Sequence, residues 1–250
     1  MKNNTMKLVV SLIALAVVVG AIGFVAKGFY ERATFEFENP IVSMEIEGHG
    51  TIKIELYPDM APDTVRNFIS LINDGYYDGL TFHRLDQDLA LIQGGCALGT
   101  GASGSDYSVV GEFPRNNFRQ NTMTFERGVV GLARQDFSQW AEIDPSLVNE
   151  GHNTGFAQFF IMTDSEPMFN GFYAGFGRVI EGMEIVDALL VLPTEIEIDE
   201  ETGEGIITTT PVTPPVMTRV TVETFGVEYR EPRLVRTFDL NTFLTGLFGL

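Results

Sequence analysis

Hydrophobic and polar positions divide the chain into one uniformly apolar segment near the N-terminus and a longer mixed region. Residues 8–26 form a run of 19 positions without a charged side chain, and Lys2 and Lys7 precede it. A helix rises about 1.5 Å per residue, so this run reaches about 29 Å, close to the hydrocarbon thickness of a bilayer. It predicts a transmembrane signal-anchor within residues 1–30, with a cleaved signal peptide as the alternative.

The charges that flank this apolar run predict how it is oriented. Basic residues before it favour a cytoplasmic N-terminus and an extracytoplasmic body at the cell membrane, although Lys27 and Arg32 weaken the bias. Cleavage would instead release a secreted protein. Residues 31–39 predict a polar spacer between the anchor and the rest of the chain.

Residues 40–227 have the pattern of one globular domain rich in short strands. Residues 41–46 and 51–56 alternate on either side of a histidine-glycine pair, which predicts a β-hairpin. Residues 61–73 and 182–190 have apolar positions at helical spacing and predict the two helices. The remaining apolar runs are short and broken by glycine. This pattern predicts a mainly-β fold, a closed β-barrel with helices at its ends.

Three further segments lie outside this alternating pattern. Residues 195–204 are acidic and residues 208–215 are rich in threonine and proline, so both predict a solvated loop. Residues 228–250 form a C-terminal tail with an apolar end. The tail predicts a short helix that docks on the domain, with a membrane contact or a partner contact as alternatives.

The charge and the scarcity of metal-binding side chains exclude several function classes. The chain has 34 acidic and 16 basic residues and a formal net charge of -18, which disfavours nucleic-acid binding. Cys96 is the only cysteine and the three histidines lack ligand spacing, so the sequence predicts no disulfide, no metal site and no cofactor. Cys96 is expected to be a small buried side chain, and the protein is expected to be a monomer.

Several ordered blocks between residues 40 and 226 carry a family resemblance. In chain order they are residues 52–68, Tyr-Tyr-Asp-Gly-Leu-Thr-Phe-His-Arg at 76–84, Gln-Gly-Gly at 93–95, Gly-Thr-Gly at 99–101, Gly-Glu-Phe at 111–113, residues 128–133, residues 153–161, Phe-Gly-Arg-Val at 176–179 and residues 182–186. Together they resemble the cyclophilin-type peptidyl-prolyl cis/trans isomerases, here in a bacterial-like form with a membrane anchor. The resemblance implies a closed eight-stranded antiparallel β-barrel capped by two α-helices.

The resemblance also implies a reaction. The barrier to rotation of an X-Pro bond is about 20 kcal/mol, because the nitrogen lone pair is conjugated with the carbonyl. A fixed guanidinium that stabilises the twisted amide lowers this barrier without a nucleophile or metal. The resemblance assigns this catalytic role to Arg84. An isolated arginine here would instead be interpreted as a surface ion pair with Asp86 or Asp88.

A set of substrate-binding residues follows from the same resemblance. They are an apolar proline floor (Leu91, Phe160, Phe169), two amides for the substrate backbone (Gln93, Gln158), an aromatic residue at the groove edge (Tyr173) and a main-chain contact (Ala133, Arg134). The resemblance implies proline-containing polypeptide clients and no cofactor. His83 is interpreted as structural, beneath the groove.

The sequence departs from the family pattern at two places. Residues 85–92 are longer than the usual spacing and place Ala90 where a pocket phenylalanine is expected, and Met168 replaces a common tryptophan. These changes predict a larger pocket and weaker activity or altered inhibitor binding. Residues 135–152 form an insertion that contains Trp140. Either Trp140 anchors this loop to the domain, or the loop forms a groove wall that sets specificity.

Three function hypotheses from different classes remain. The first is an isomerase that folds proteins outside the cytoplasmic membrane. The second is a module that binds proline-containing peptides without turnover, which the altered residues 85–92 motivate. The third is a scaffold in which the anchor and the apolar tail recruit a partner.

Overall fold

The computed structural model describes residues 38–102, 104–198 and 205–248, together with positions 17, 20, 21, 23, 24 and 27 of the N-terminal segment. The chain divides into two units, Met1–Glu38 and Asn39–Leu250. Within the described part of the chain, no helix combines the length and the apolarity needed to cross a membrane. Most of the predicted anchor lies outside the described residues, so the anchor stays a prediction.

The second unit contains twelve strands and four helices within its described residues. The strands are β1 (Ile41–Ile46), β2 (Gly50–Leu56), β3 (Phe82–Asp86), β4 (Leu91–Gly94), β5 (Tyr107–Val109), β6 (Val129–Leu132), β7 (Phe159–Met162), β8 (Gly175–Glu181), β9 (Thr194–Ile198), β10 (Gly205–Pro211), β11 (Met217–Glu223) and β12 (Leu234–Arg236). The helices are α1 (Pro62–Asn73), α2 (Leu147–Gly151), α3 (Met183–Leu190) and α4 (Leu240–Phe248).

Eight of the strands form one curled antiparallel sheet. Its order is β11-β1-β2-β8-β6-β7-β4-β3, and the predicted hairpin is confirmed as the pair β1 and β2. The two edge strands approach each other at a bridge between Thr81 and Val216, and Met217 N–H donates to Leu80 O at 2.8 Å. No continuous ladder joins β3 to β11 in the described ranges, so full closure of the barrel stays a prediction.

The two predicted helices of the domain are confirmed as α1 and α3, and the short helix predicted in the tail is confirmed as α4. Of the described helices, only the short helix α2 was not predicted. Pro62 opens α1, where a missing N–H is tolerated. The apolar face of α1 is buried, and its Phe68 makes edge contacts with Phe159 and Phe176 in the barrel core. Burial of this face holds the helix to the sheet.

Alternation along the central strands separates the core from a second, outer face. Leu85, Ile92 and Ile161 belong to the main core, whereas their neighbours Leu91 and Phe160 belong to a separate apolar cluster. Successive side chains of a strand point to opposite faces, so β4 and β7 each contribute to both clusters. These two strands therefore carry apolar side chains on both faces of the sheet.

The predicted loops between residues 195 and 215 are partly wrong. Residues 194–198 and 205–211 pair as the antiparallel hairpin β9–β10, and its isoleucines are exposed. Isoleucine and threonine favour extended backbone, which the acidic and proline-rich composition obscured. Residues 199–204 lie outside the described residues.

Candidate active site

One row of paired residues crosses four strands on the outer face of the sheet. Arg84 of β3 pairs with Gln93 of β4, Gln93 pairs with Phe160 of β7, and Phe160 pairs with Gly131 of β6. Neighbouring strands lie about 4.8 Å apart, so the row brings a guanidinium, an amide and an aromatic ring onto one surface. A Cβ on Gly131 would lie 2.4 Å from the Phe160 ring, so this position requires glycine.

Arg84 is held by a carboxylate on its own strand. Arg84 Nη2 donates to Asp86 Oδ2 at 2.5 Å, and Asp86 Oδ1 accepts the Leu89 N–H at 2.9 Å. Asp86 is only 6% exposed, whereas the Arg84 side chain is 37% exposed. The ion pair of the alternative interpretation thus exists, but it fixes one nitrogen of a guanidinium that solvent and a substrate still reach.

A chain of amide hydrogen bonds continues from Arg84 across the groove. Arg84 Nη1 donates to Gln93 Oε1 at 3.4 Å, and Gln93 Nε2 donates to Gln158 Oε1 at 3.0 Å. Gln158 Nε2 then donates to Gly101 O at 2.9 Å. These bonds orient both amides before any substrate arrives.

The apolar cluster beside this row has a buried base and a half-buried rim. Leu91 and Phe160, both predicted floor residues, are only 2% and 3% exposed. Rings from the rim cover Phe160, because the centroids of Phe169 and Tyr173 lie 5.6 and 5.5 Å from its ring. The base also contains residues that the sequence did not single out, namely Phe125, Val129 and Met162. An entering proline therefore meets the rim first.

 Ala90 adopts a left-handed backbone with φ of 52°, and this turn absorbs the extra residue of the 85–92 segment. Leu89 then packs against the apolar cluster and takes the place of the expected ring. The larger pocket expected from the missing ring at Ala90 stays a prediction. Met168 is 69% exposed and lies outside the cluster.

Comparisons with known proteins decide the family of this chain. A family model described as "Cyclophilin type peptidyl-prolyl cis-trans isomerase/CLD" matches residues 41–222. The chain belongs to the cyclophilin-type peptidyl-prolyl cis-trans isomerase family. Its activity is accordingly that of a peptidyl-prolyl cis-trans isomerase.

Curated relatives and a solved structure agree with this assignment. Peptidyl-prolyl cis-trans isomerase B of Bacillus subtilis is 38% identical over 139 residues, which cover 56% of this chain and 82% of that protein. Peptidyl-prolyl cis-trans isomerase-like 1 of Neurospora crassa is 36% identical, over 59% of this chain and 80% of that protein. A cyclophilin of Cryptosporidium parvum, crystallised in the presence of the dipeptide Ala-Pro, has a TM-score of 0.55 and 26% identity, over 73% of this chain and 98% of that one.

Ala133 and Arg134 were predicted to contact the substrate through main-chain groups. Some groups of both residues already make contacts within the fold of this cyclophilin. The Ala133 N–H donates to Gln158 O at 2.9 Å, so a substrate must use other main-chain groups there. The Arg134 guanidinium lies 4.7 Å from the centroid of the Tyr173 ring and donates to Phe172 O at 2.9 Å. Arg134 therefore braces the aromatic edge of the groove.

His83 lies buried close to Arg84. Burial, and then the nearby Arg84 charge, lower the pKa of His83 from its ordinary value of 6.5. The imidazole is therefore neutral near pH 7, which agrees with a structural interpretation.

The 135–152 segment of the cyclophilin is anchored by residues other than the predicted tryptophan. Phe137 and Leu147 are buried, whereas Trp140 is only half-buried. Sequence reasoning singled out Trp140 because it is the only tryptophan. The sequence analysis named Asp86 only as a partner in a surface ion pair, and it did not predict that this carboxylate is buried. Asp86 lies two positions after Arg84, and so on the same face of β3.

Proposed function

We propose that this cyclophilin accelerates X-Pro rotation with Arg84 as its electrostatic catalyst. The observation that carries the proposal is a half-exposed guanidinium fixed by Asp86 and Gln93 at the edge of an apolar cluster. Twisting the amide frees the nitrogen lone pair, and a positive charge fixed beside it stabilises the twisted state more than the planar one. The reaction makes and breaks no covalent bond.

Substrate binding in this proposal uses the two surfaces beside Arg84. The proline ring packs on the rim formed by Leu89, Phe169 and Tyr173. Gln93 and Gln158 offer their amide groups to the substrate backbone and exchange their mutual hydrogen bond for it. Such an exchange keeps the polar groups paired, so binding does not leave a buried donor unsatisfied.

The test compares the wild-type chain with Arg84→Ala on a panel of X-Pro peptides. We expect kcat/KM to fall about 100-fold to 1000-fold, the loss typical of a removed electrostatic donor. Thermal unfolding should occur at a lower temperature, because the buried Asp86 carboxylate loses its partner, and activity is compared where both proteins are folded. Arg66→Ala is the matched control, because Arg66 is likewise paired with a nearby carboxylate, Asp63, but lies on α1 outside the groove. Equal activity of wild type and Arg84→Ala would assign catalysis to another group.

A second candidate function has a specific observation in its favour. Phe160 is covered by its neighbours, so a proline can bind shallowly on the rim without reaching the base. In that case the protein holds proline-containing peptides without turnover. Peptide binding by calorimetry without any rate acceleration would favour this module over the enzyme.

We further propose a bacterial-type, membrane-anchored organisation. Residues 1–30 serve as the anchor, 31–39 as a spacer, 40–227 as the isomerase domain and 228–250 as the tail. The uncharged run over residues 8–26 supports the anchor, and the Bacillus subtilis relative supports the bacterial type. Clients are then proteins outside the cytoplasmic membrane, met by a monomeric domain.

Protease treatment of intact spheroplasts tests this location. The domain should be degraded from outside while a cytoplasmic marker survives. N-terminal sequencing of the purified protein separates an anchor from a cleaved signal peptide. A domain protected until the spheroplasts are lysed would contradict the extracytoplasmic location.

A further inference from the structure

The C-terminal tail is built into the domain beside the groove. Strand β12 pairs with β5 through Leu234 and Val109, and Thr237 N–H extends the pairing by donating to Asp106 O at 2.9 Å. On its other side, Val109 N–H donates to Gly155 O at 2.8 Å. The tail therefore holds a fixed position relative to the segment that leads to Gln158.

Two adjoining clefts continue the groove from the glutamine pair to the tail. The first has a volume of about 140 Å³, and the second, of about 380 Å³, is lined mainly by the tail. Gln93 and Gln158 line the first cleft, so it opens beside the catalytic row. The clefts share four lining residues, which are Gly104, Ser105, Gln135 and Thr237.

The outer wall of these clefts combines the tail with the 135–152 segment. The Phe238 ring lies 6.1 Å from Phe137 and 5.6 Å from Phe243. Phe137 is buried and anchors the segment, so its contact with Phe238 ties the two parts of the wall together. Neither part belongs to the curled sheet.

The lining of the first cleft is mostly neutral and polar, and its charged side chain, Arg134, already donates to Phe172 O and Gln135 O. Gln135 and Ser105 offer an amide and a hydroxyl, and Thr237 Oγ1 is covered and has no hydrogen-bond partner among the described residues. An unpaired hydroxyl costs free energy that a ligand group can recover. A cavity of about 150 Å³ holds a molecule the size of benzene, so the cleft has room for one side chain.

We propose that the tail is a specificity-determining wall of the substrate groove. Thr237 and Gln135 together select a polar, uncharged client residue that flanks the X-Pro bond. This inference rests on the proposed isomerase function, and it assigns the tail a role in the choice of client. The tail then acts on substrate selection and leaves the rotation step to Arg84.

The test uses the full chain and introduces a larger side chain that fills the cleft. Thr237→Tyr and Gln135→Tyr, one from each part of the wall, are compared with wild type on peptides that carry Gln, Ser, Leu or Lys at the positions flanking X-Pro. We expect both variants to lower kcat/KM about tenfold for the Gln and Ser peptides. A short Ala-Pro peptide, which does not reach the cleft, should be turned over as by wild type. Gln139→Tyr on the same exposed segment is the matched control.

Two results separate this inference from the proposed function. An unchanged ranking of peptides in a folded Thr237→Tyr or Gln135→Tyr variant would overturn the role of the tail while the isomerase stands. Should Thr237→Tyr fail to fold, Thr237→Val decides for the tail, because it removes the hydroxyl and keeps the shape of the side chain. Wild type without turnover of any peptide would overturn the isomerase, and calorimetric binding of the same peptides would then test the cleft.

Discussion

The apolar cluster beside Arg84 and the clefts beneath the tail are neighbouring parts of one groove, yet they are built differently. The cluster takes Phe160 and Leu91 from paired central strands, and both are buried. The clefts take Gln135 and Thr237 from connecting segments. Catalysis needs a charge held in place, which a sheet provides, whereas selection among clients tolerates change in loops.

The two regions also differ in their charged and polar groups. Arg84 is clamped by a buried carboxylate and an oriented amide, so little reorganisation is needed when the amide twists. The second cleft contains the charged residues Asp106, Arg236 and Asp239, whereas the first offers mainly neutral amide and hydroxyl groups. Such neutral groups discriminate between side chains without adding charge at the reacting bond. Four substitutions or conditions sharpen this contrast, in order of decreasing effect.

Of the four changes, Phe160→Ala should have the largest effect, and it acts on the apolar cluster beside Arg84. Loss of a buried ring costs about 3–5 kcal/mol of unfolding free energy, and the rim above loses its support. We expect kcat/KM to fall about 100-fold, measured with X-Pro peptides, alongside urea unfolding. Phe159→Ala is the matched control, because that ring points to the main core from the adjacent position.

Equal loss of activity in the folded Phe159 and Phe160 variants would show that the outer face has no special role. Should alanine unfold the chain at either position, the leucine pair Phe159→Leu and Phe160→Leu replaces it. A leucine leaves a smaller cavity than an alanine does, so the loss of unfolding free energy is smaller.

Asp86→Asn tests whether the clamp positions Arg84. The change keeps the shape but removes a charge-assisted hydrogen bond, so the guanidinium samples other positions. We expect kcat to fall about tenfold with little change in KM, which corresponds to about 1.4 kcal/mol. Asp88→Asn, on an exposed carboxylate of the same turn, is the matched control. A shift in KM alone would argue against a positioning role.

Leu89→Ala tests the substitute for the expected aromatic ring. Leu89 is half-buried at the rim, so its loss removes part of a leucine contact with proline. We expect KM to rise about fivefold with kcat nearly unchanged. Leu98→Ala, an exposed leucine, controls for general effects. Unaltered KM would mean that proline does not contact this side of the rim.

Acidification should have the smallest effect, on stability. Burial lowers the pKa of both His83 and His152 from 6.5, so below about pH 6.5 the unfolded chain binds more protons than the folded one. The free energy of unfolding should therefore fall between about pH 7.5 and about pH 5.5. Glu112 opposes the trend, because burial raises its pKa from 4.5.

Urea unfolding at several pH values measures this slope. Replacing His83 and His152 by glutamine should flatten the fall in stability on acidification, and exposed His49→Gln is the matched control. An undiminished slope in the double variant would assign the effect to other groups.

The local sequence pattern was sufficient to predict the strands and helices whose contacts join residues close together in the chain. The hairpin of β1 and β2 follows from alternation around a short turn, and α1 and α3 follow from helical spacing. The ordered family blocks identified the family and placed Arg84 and Gln93 in one groove. In each case the information resides in neighbouring residues, because strand and helix periods repeat within a few positions.

Tertiary structure alone decided which partners meet across long separations. Gln93 meets Gln158 although 65 residues separate them, and Thr237 reaches the groove because β12 pairs with β5. The replacement of an expected ring by Leu89 depended on a left-handed turn at Ala90. No local period encodes such contacts, since they exist only after the sheet has brought distant segments together. The sequence by itself thus determined the family and the face proposed to react, and the fold determined the clamp, the rim and the wall.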